Sequence, residues 1–222
     1  MKALPESDRT KLKRSPKRAC FDRERLYEIF DEAHVVHVGF STNEQPYVIP
    51  MLGWRVDNQL YIHGSNGSRM IKALRDGTGC CVTATLLDGM VLSKSAFHHS
   101  ANYRSAVVFG SFRAVNDPEE IESSLYRFLE HIAPGRWDEV RPPSEQELKA
   151  TTILAIELEE ASVKIRTGPA QEADGDEVLP VWTGEMRIRQ QVREMVADEN
   201  ANVSEAPDYS GAWKERREVE KE

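Results

Sequence analysis

The 222 residues suffice for one large domain, and 40% hydrophobic with 30% charged residues is the make-up of a soluble globular protein. A formal net charge of −8 argues against the basic face of a nucleic-acid binder, and no apolar run reaches the ~18–20 residues of a membrane span. The N-terminus lacks the apolar stretch of a secretory signal, and the three cysteines, two of them adjacent at Cys80 and Cys81, form no disulfide framework, so a reduced, cytoplasmic protein is expected.

Residues 1–20 are polar and aperiodic and are expected to form a flexible or docking arm, with the basic run Lys11–Arg18 solvated. Leu26, Ile29, Phe30 and Ala33 share one helical face, which predicts a helix over 21–33 capped by Asp22. Strands are expected at 34–40, 47–54 and 60–63, with polar turns at 41–46 and 57–58, which is an antiparallel meander. A helix over 68–75 carries Met70, Ile71 and Leu74 and ends at Gly77 and Gly79. The strand 79–86 is followed by Asp88-Gly89, a hairpin signal, and by strands at 90–97 and 103–115. Asp117 caps a helix through Ile132, and Ser144 with Glu147 fits a capping box. Strands at 151–158 and 162–167 follow, then an acidic loop and the segment 179–184. A helical stretch is expected from 186 to about 197, with a polar tail beyond it.

Such an order predicts a mainly β, α+β fold: a closed or nearly closed antiparallel barrel decorated by helices. The layout is an arm at 1–20, one domain at 21–185 with a helical lid over 117–150, and a C-terminal extension at 186–222.

His63-Gly64-Ser65-Asn66-Gly67-Ser68-Arg69 sets two glycines, two serines and an arginine at the end of an apolar strand and the start of a helix. Close backbone approach, hydroxyl donors and a planar cation are what a phosphate group requires. An ordinary Gly/Ser turn before a helix has the same composition. The loop has neither the Walker-A lysine pattern nor the Rossmann glycine spacing. His98-His99 with His63 lacks a carboxylate at useful spacing, so no metal site is expected. No serine sits in a nucleophile elbow, and the tryptophans at 54, 137 and 182 serve packing as readily as ligand stacking.

The series Gln45–Pro50, Leu60–Ser65, Cys81–Gly89, Phe97–Ser100 with Asn102-Tyr103-Arg104-Ser105, Pro134–Trp137, Glu147–Thr151 and Leu179–Gly184 resembles one family. It is similar to the flavin-nucleotide-binding branch of the pyridoxamine 5′-phosphate oxidase-like superfamily, which includes nitroimidazole-resistance proteins. The resemblance spans roughly residues 17 to 185. It implies an FMN-binding split β-barrel, a homodimer with FMN at the subunit interface. It implies that Val48, Ile49, Pro50 and Met51 pass beneath the isoalloxazine. By the same resemblance His63, Gly64, Ser65, Ser68 and Arg69 would hold the ribityl phosphate, Arg104 and Ser105 would complete the contacts, and Trp182 would approach the site. His63 is the one pocket residue named as a proton donor; plain packing in the loop is its other reading. Where the oxidases carry a second basic residue this chain has Met70, and their pyridoxal-binding basic residues have no clear counterpart. The expected function is therefore reduction of a small electron-poor, for example nitro-aromatic, substrate by bound FMN. The alternatives are flavin binding or ligand sensing without turnover, and haem binding with His98 or His99 as axial ligand.

Overall fold

The computed structural model describes residues 3–203 and 205–213. The chain enters through β1 (Ala19–Cys20) and α1 (Arg23–Glu32), which starts where the Asp22 carboxylate accepts the Glu24 amide hydrogen. Leu26, Ile29 and Phe30 are its buried stripe, each worth roughly 1.5–3 kcal/mol over an exposed position. β2 (Val35–Thr42) and β3 (Gln45–Leu52) form a hairpin whose turn residues, Asn43 and Glu44, both have positive φ (50° and 63°). That is the type I′ geometry, whose twist matches the strands it joins.

β4 (Trp54–Val56) follows β3 after Gly53 alone, yet lies in another sheet. The single strand expected over 47–54 is therefore two. A Cβ on Gly53 would stand 2.8 Å from Val36 Cγ2, so the chain crosses between sheets where it carries no side chain. β5 (Gln59–Ser65) and α2 (Arg69–Arg75) come next, then β6 (Gly79–Leu92) and β7 (Ser100–Ser111). β6 corrects another expectation: Asp88-Gly89 is not a hairpin turn. Neither residue has the positive φ that such a turn requires, and the strand continues with a register shift between Leu87 and Gly89. The feature is a β-bulge. The two strands expected at 79–86 and 90–97 are one, ending at Leu92.

The rest is β8 (Arg113–Ala114), α3 (Pro118–Ile132), α4 (Glu145–Ala150), β9 (Thr151–Glu157), β10 (Ala161–Arg166) and β11 (Gly184–Arg187). Asp117 caps α3 by accepting the Glu119 amide, and both halves of the Ser144–Glu147 capping box are present at α4. Among the described residues the strands make two antiparallel sheets. The larger runs β1-β10-β7-β6-β2-β3, with β11 beside the far half of β6; the smaller runs β4-β5-β9-β8. Val36, Val38, Leu60, Ile62, Val82, Val108, Leu154 and Ile156 fill one core between them, closed by α1 and α2. A smaller cluster of Trp54, Tyr61 and Ile153 lies under Ile121, Leu125 and Phe128 of α3. The sheets share a core without joining edge to edge into a closed cylinder, which is a split barrel.

The N-terminal arm docks on the barrel, and the C-terminal extension departs from expectation. Leu4 is buried, its amide donates to the Phe21 carbonyl (2.9 Å), Arg9 pairs with Glu160, and β1 pairs with β10; the arm lies packed on the sheet. The helix expected from 186 is absent: β11 pairs with β6, and the chain runs on extended, the Ile188 amide donating to the Asp88 carbonyl (2.9 Å). The extension then returns to the barrel, where Trp213 stacks on His34 with ring centroids 3.7 Å apart. The last part of the expected polar tail, residues 214–222, lies outside the described residues.

Candidate functional site

A two-residue hairpin closes on a hydrogen-bonded pair, here Thr42 with Gln45, and pairing then alternates. Tyr47, Ile49 and Met51 therefore bond to β2, whereas Pro46, Val48, Pro50 and Leu52 turn their backbone groups away from it. Prolines at 46 and 50 cost the ladder no donor. Among the described residues β3 has no second partner strand. The Val48 N–H and C=O and the Pro50 C=O consequently line an open sheet edge. Ile49 and Met51 pack on the core, and the Val48 side chain is 67% exposed.

The loop from β5 to α2 meets this strand. Arg69 Nη1 donates to the Tyr47 hydroxyl at 3.0 Å, with its guanidinium 5.3 Å from the ring centre. Among the described residues Arg69 has no carboxylate partner, so its charge is uncompensated. Gly64 is required by packing: a Cβ there would stand 2.8 Å from Ile71 Cγ1 of α2. Ser65 Oγ accepts from the Gly67 amide (3.3 Å), and the Ser68 amide donates to the Ser65 carbonyl (2.9 Å). The Ser68 hydroxyl makes no capping bond and stays available. Asn66 anchors the loop from below, its amide groups donating to the Ala150 and Lys149 carbonyls at 3.1 and 2.7 Å. Tyr47, which ties the arginine to the strand, was not among the residues singled out from sequence. Its pairing with Arg69 spans 22 positions and leaves no local signal.

The remaining expected residues go elsewhere. Arg104 bonds both oxygens of Glu32 (2.6 and 2.8 Å) and the Asp88 carboxylate (2.7 Å). Burial works against its charge, but the bonds to Glu32 and Asp88 prevail and hold the guanidinium firmly protonated. It thus clamps α1, the bulge and β7 together. Arg104 sits level with Leu86, three residues past the level of His37, and Tyr47 sits level with Phe40. At ~3.3 Å per residue the Tyr47 and Arg104 backbone positions are about 20 Å apart along the strands, and Arg104 is already held by two carboxylates. The Ser105 hydroxyl donates to the Lys164 carbonyl (3.3 Å).

His63 faces α3, its ring 5.6 Å from Trp54 and 5.3 Å from Phe128, and burial lowers its pKa. Its Nδ1 has no hydrogen-bond partner among the described residues. This is a packed, neutral imidazole on the opposite side of β5 from Leu60 and Ile62, not a group at the β3 edge. Trp182 is 66% exposed and its ring lies over Gly184, where a Cβ would meet it at 2.6 Å. Sequence reading also missed the cavity of about 280 Å³ beside Arg104, lined by Glu32, His34, Leu87, Gln190 and Trp213. Residues from the two ends of the chain meet there, so no motif marks it. Among the described residues no group of three or more His, Cys, Asp or Glu side chains is placed to hold a metal ion.

Fold and site together define a split β-barrel with one uncompensated arginine beside an open strand edge. The chain belongs to the pyridoxamine 5′-phosphate oxidase family, whose profile matches residues 22–165. Among solved structures it is similar to the flavocytochrome Anf3 from Azotobacter vinelandii: 34% identity, 94% of this chain and 97% of the other covered, TM-score 0.85. It is also similar to an FAD- and haem-binding protein from Mycobacterium smegmatis: 30% identity, 88% and 97% covered, TM-score 0.83. A putative 5-nitroimidazole antibiotic resistance protein from Bacteroides thetaiotaomicron shares the fold at 21% identity, 66% and 86% covered, TM-score 0.57. A search of curated proteins returns no significant match.

Proposed function

We propose that this chain is a flavin-binding redox protein that holds FMN along the β3 edge. The observation that carries this reading is Arg69, an uncompensated guanidinium tied to Tyr47 one residue from the open backbone of Val48. A phosphomonoester would take charge-assisted bonds from Arg69 and a bond from the Ser68 hydroxyl. The Val48 N–H and the carbonyls of Val48 and Pro50 complement a heterocycle edge carrying both donors and acceptors. When bound, the flavin supplies hydride or electron transfer; the protein supplies binding, orientation and exclusion of water. FAD presents the same ring to the same edge, and two relatives that align along nearly their whole length support flavin binding.

The partner we propose is a second copy of the chain. Opposite the core, the larger sheet exposes Val35, Val48, Leu52 and Leu87, an apolar face that a homodimer would bury while enclosing the flavin. The reaction we propose is reduction of a small electron-poor acceptor, nitro-aromatics included. We place the protein in the cytoplasm on its cysteine usage; among the described residues no helix is long and apolar enough to cross a membrane. A second reading adds haem. It is favoured by the names of two of these similar structures, a flavocytochrome and an FAD- and haem-binding protein.

The test is spectroscopic. Purified protein should show a yellow flavin spectrum that bleaches with a nicotinamide donor and returns on addition of a nitro acceptor. A protein that takes up neither FMN nor FAD overturns the reading, and flavin that binds but never turns over reduces it to a binding protein.

A further inference from the structure

We propose that the cavity between the N-terminal arm and the end of β10 binds the phosphate group of a small organic phosphate, at a site separate from the β3 edge. The cavity measures about 360 Å³, and Lys17, Arg18, Arg166, Thr167 and Gln171 are among the residues that line it. Three of these are cations, and no lining residue is acidic. In a chain of net charge −8 that is a local reversal of sign. The fold holds it in place: β1 pairs with β10, Ala19 opposite Lys164, which sets the end of the basic run Lys11–Arg18 beside Arg166.

Arg166 is the centre of the site. It is 8% exposed, and its three hydrogen bonds all end on neutral oxygens. Nη1 donates to Asn102 Oδ1 and to the Gly168 carbonyl (3.2 Å), and Nη2 donates to the Pro169 carbonyl (3.0 Å). Two of its five N–H groups are left for a ligand. Among the described residues neither Arg166 nor Lys17 nor Arg18 has a carboxylate partner. Glu185 stands one amide away: it accepts from Asn102 Nδ2 (2.5 Å), which turns Asn102 Oδ1 toward the guanidinium. Neutral dipoles solvate a buried guanidinium but do not neutralise it. Arg104, buried to a similar degree, has two carboxylates; Arg166 has a cavity and two further cations. The counter-charge missing from the protein is what an anionic ligand supplies, through charge-assisted bonds.

The Thr167 hydroxyl and the Gln171 amide add neutral donors to the same wall, a set that suits a dianionic phosphate. A volume of this size belongs to small-molecule sites more than to a bare ion, and Ile165 gives it an apolar side. The site is also remote from the proposed flavin phosphate. Arg166 is level with Tyr103 and Leu87, whereas Tyr47 is level with Phe40 and Cys80. Cys80 and Leu87 lie roughly 23 Å apart along β6 at ~3.3 Å per residue, and each guanidinium is held at its own end, Arg69 on Tyr47 and Arg166 on Asn102.

The full chain, with and without saturating FMN, is titrated calorimetrically with glycerol 3-phosphate, with glycerol as the control. Wild type should bind glycerol 3-phosphate in both states and glycerol in neither. Arg166→Gln should weaken binding about tenfold or more, the exposed pair Lys17→Ala with Arg18→Ala should together weaken it about tenfold, and Arg69→Ala should leave it unchanged. Trypsin cuts after lysine and arginine, so the ligand should also slow cleavage of wild type after Lys17 and Arg18. Absence of binding to wild type overturns the site, as does undiminished binding by the Lys17→Ala, Arg18→Ala double variant. Binding that FMN displaces, or that Arg69→Ala abolishes, overturns it as well, by assigning the phosphate to the β3 edge.

Discussion

Replacing Arg69 by alanine tests the proposed site most directly. The guanidinium makes one exposed hydrogen bond, to the Tyr47 hydroxyl at 3.0 Å, and has no carboxylate partner among the described residues. Losing that bond costs the fold about 0.5–1.5 kcal/mol at most, so the variant should fold. If Arg69 makes a charge-assisted contact with the flavin phosphate, alanine should weaken FMN binding by about 1.5–3 kcal/mol, roughly ten- to a hundredfold in Kd. Flavin fluorescence titration measures this directly. Riboflavin, which lacks the phosphate, is the internal control: its affinity should hardly change between wild type and variant. Lysine at 69 should recover only part of the loss, because it replaces a planar fork by a point charge. Raising the salt concentration should narrow the gap between wild type and alanine, since the contact lies at the surface. An FMN affinity within twofold of wild type, or an equal loss for riboflavin, would remove Arg69 from the phosphate site.

Further expectations concern the scaffold. Arg104→Ala leaves Glu32 and Asp88 partly buried without their cation and should destabilise the fold by about 2–3 kcal/mol in urea, while FMN affinity per folded molecule stays within a few fold. Comparable loss of affinity with no loss of stability would return Arg104 to the flavin site. Gly53→Ala forces a Cβ to within 2.8 Å of a fully buried Val36 and should lower stability by about 1–3 kcal/mol, seen as a depressed Tm; a neutral result would mean the crossing has slack. Burial lowers the pKa of His63, so the unfolded chain binds more protons than the folded one as pH drops. Stability contributed by the neutral ring is present above the unfolded value of about 6.5 and is lost as pH falls below it. His63→Phe, set between Trp54 and Phe128, should flatten that slope, and an unchanged pH profile would show that the imidazole is not confined as described.

Part of the chain is legible residue by residue. Asp22, Asp117 and Ser144 start their helices because each cap is satisfied within two or three positions, and Asn43-Glu44 closes a hairpin whose register then dictates which β3 groups face outward. The family-like order of motifs likewise marks the Gly64–Arg69 loop, and the loop does meet β3. Asp88-Gly89 shows the limit. Its composition suits a turn, but 184–187 pairs beyond it on one side, and Arg104 with Glu32 holds it straight on the other. Those partners lie from 16 to nearly 100 positions away, and no local propensity contains them. The same holds for Leu4 and Trp213, apolar residues of polar segments that pack against the barrel. Arg69 and Arg104 carry this furthest. Each stands beside small polar residues at the end of an apolar strand, and the sequence by itself treats them alike. Only the packed chain separates them, by supplying two carboxylates to one guanidinium and a neutral phenol to the other. A charge is available to a ligand only where the fold has not already neutralised it, and that is decided by neighbours in space.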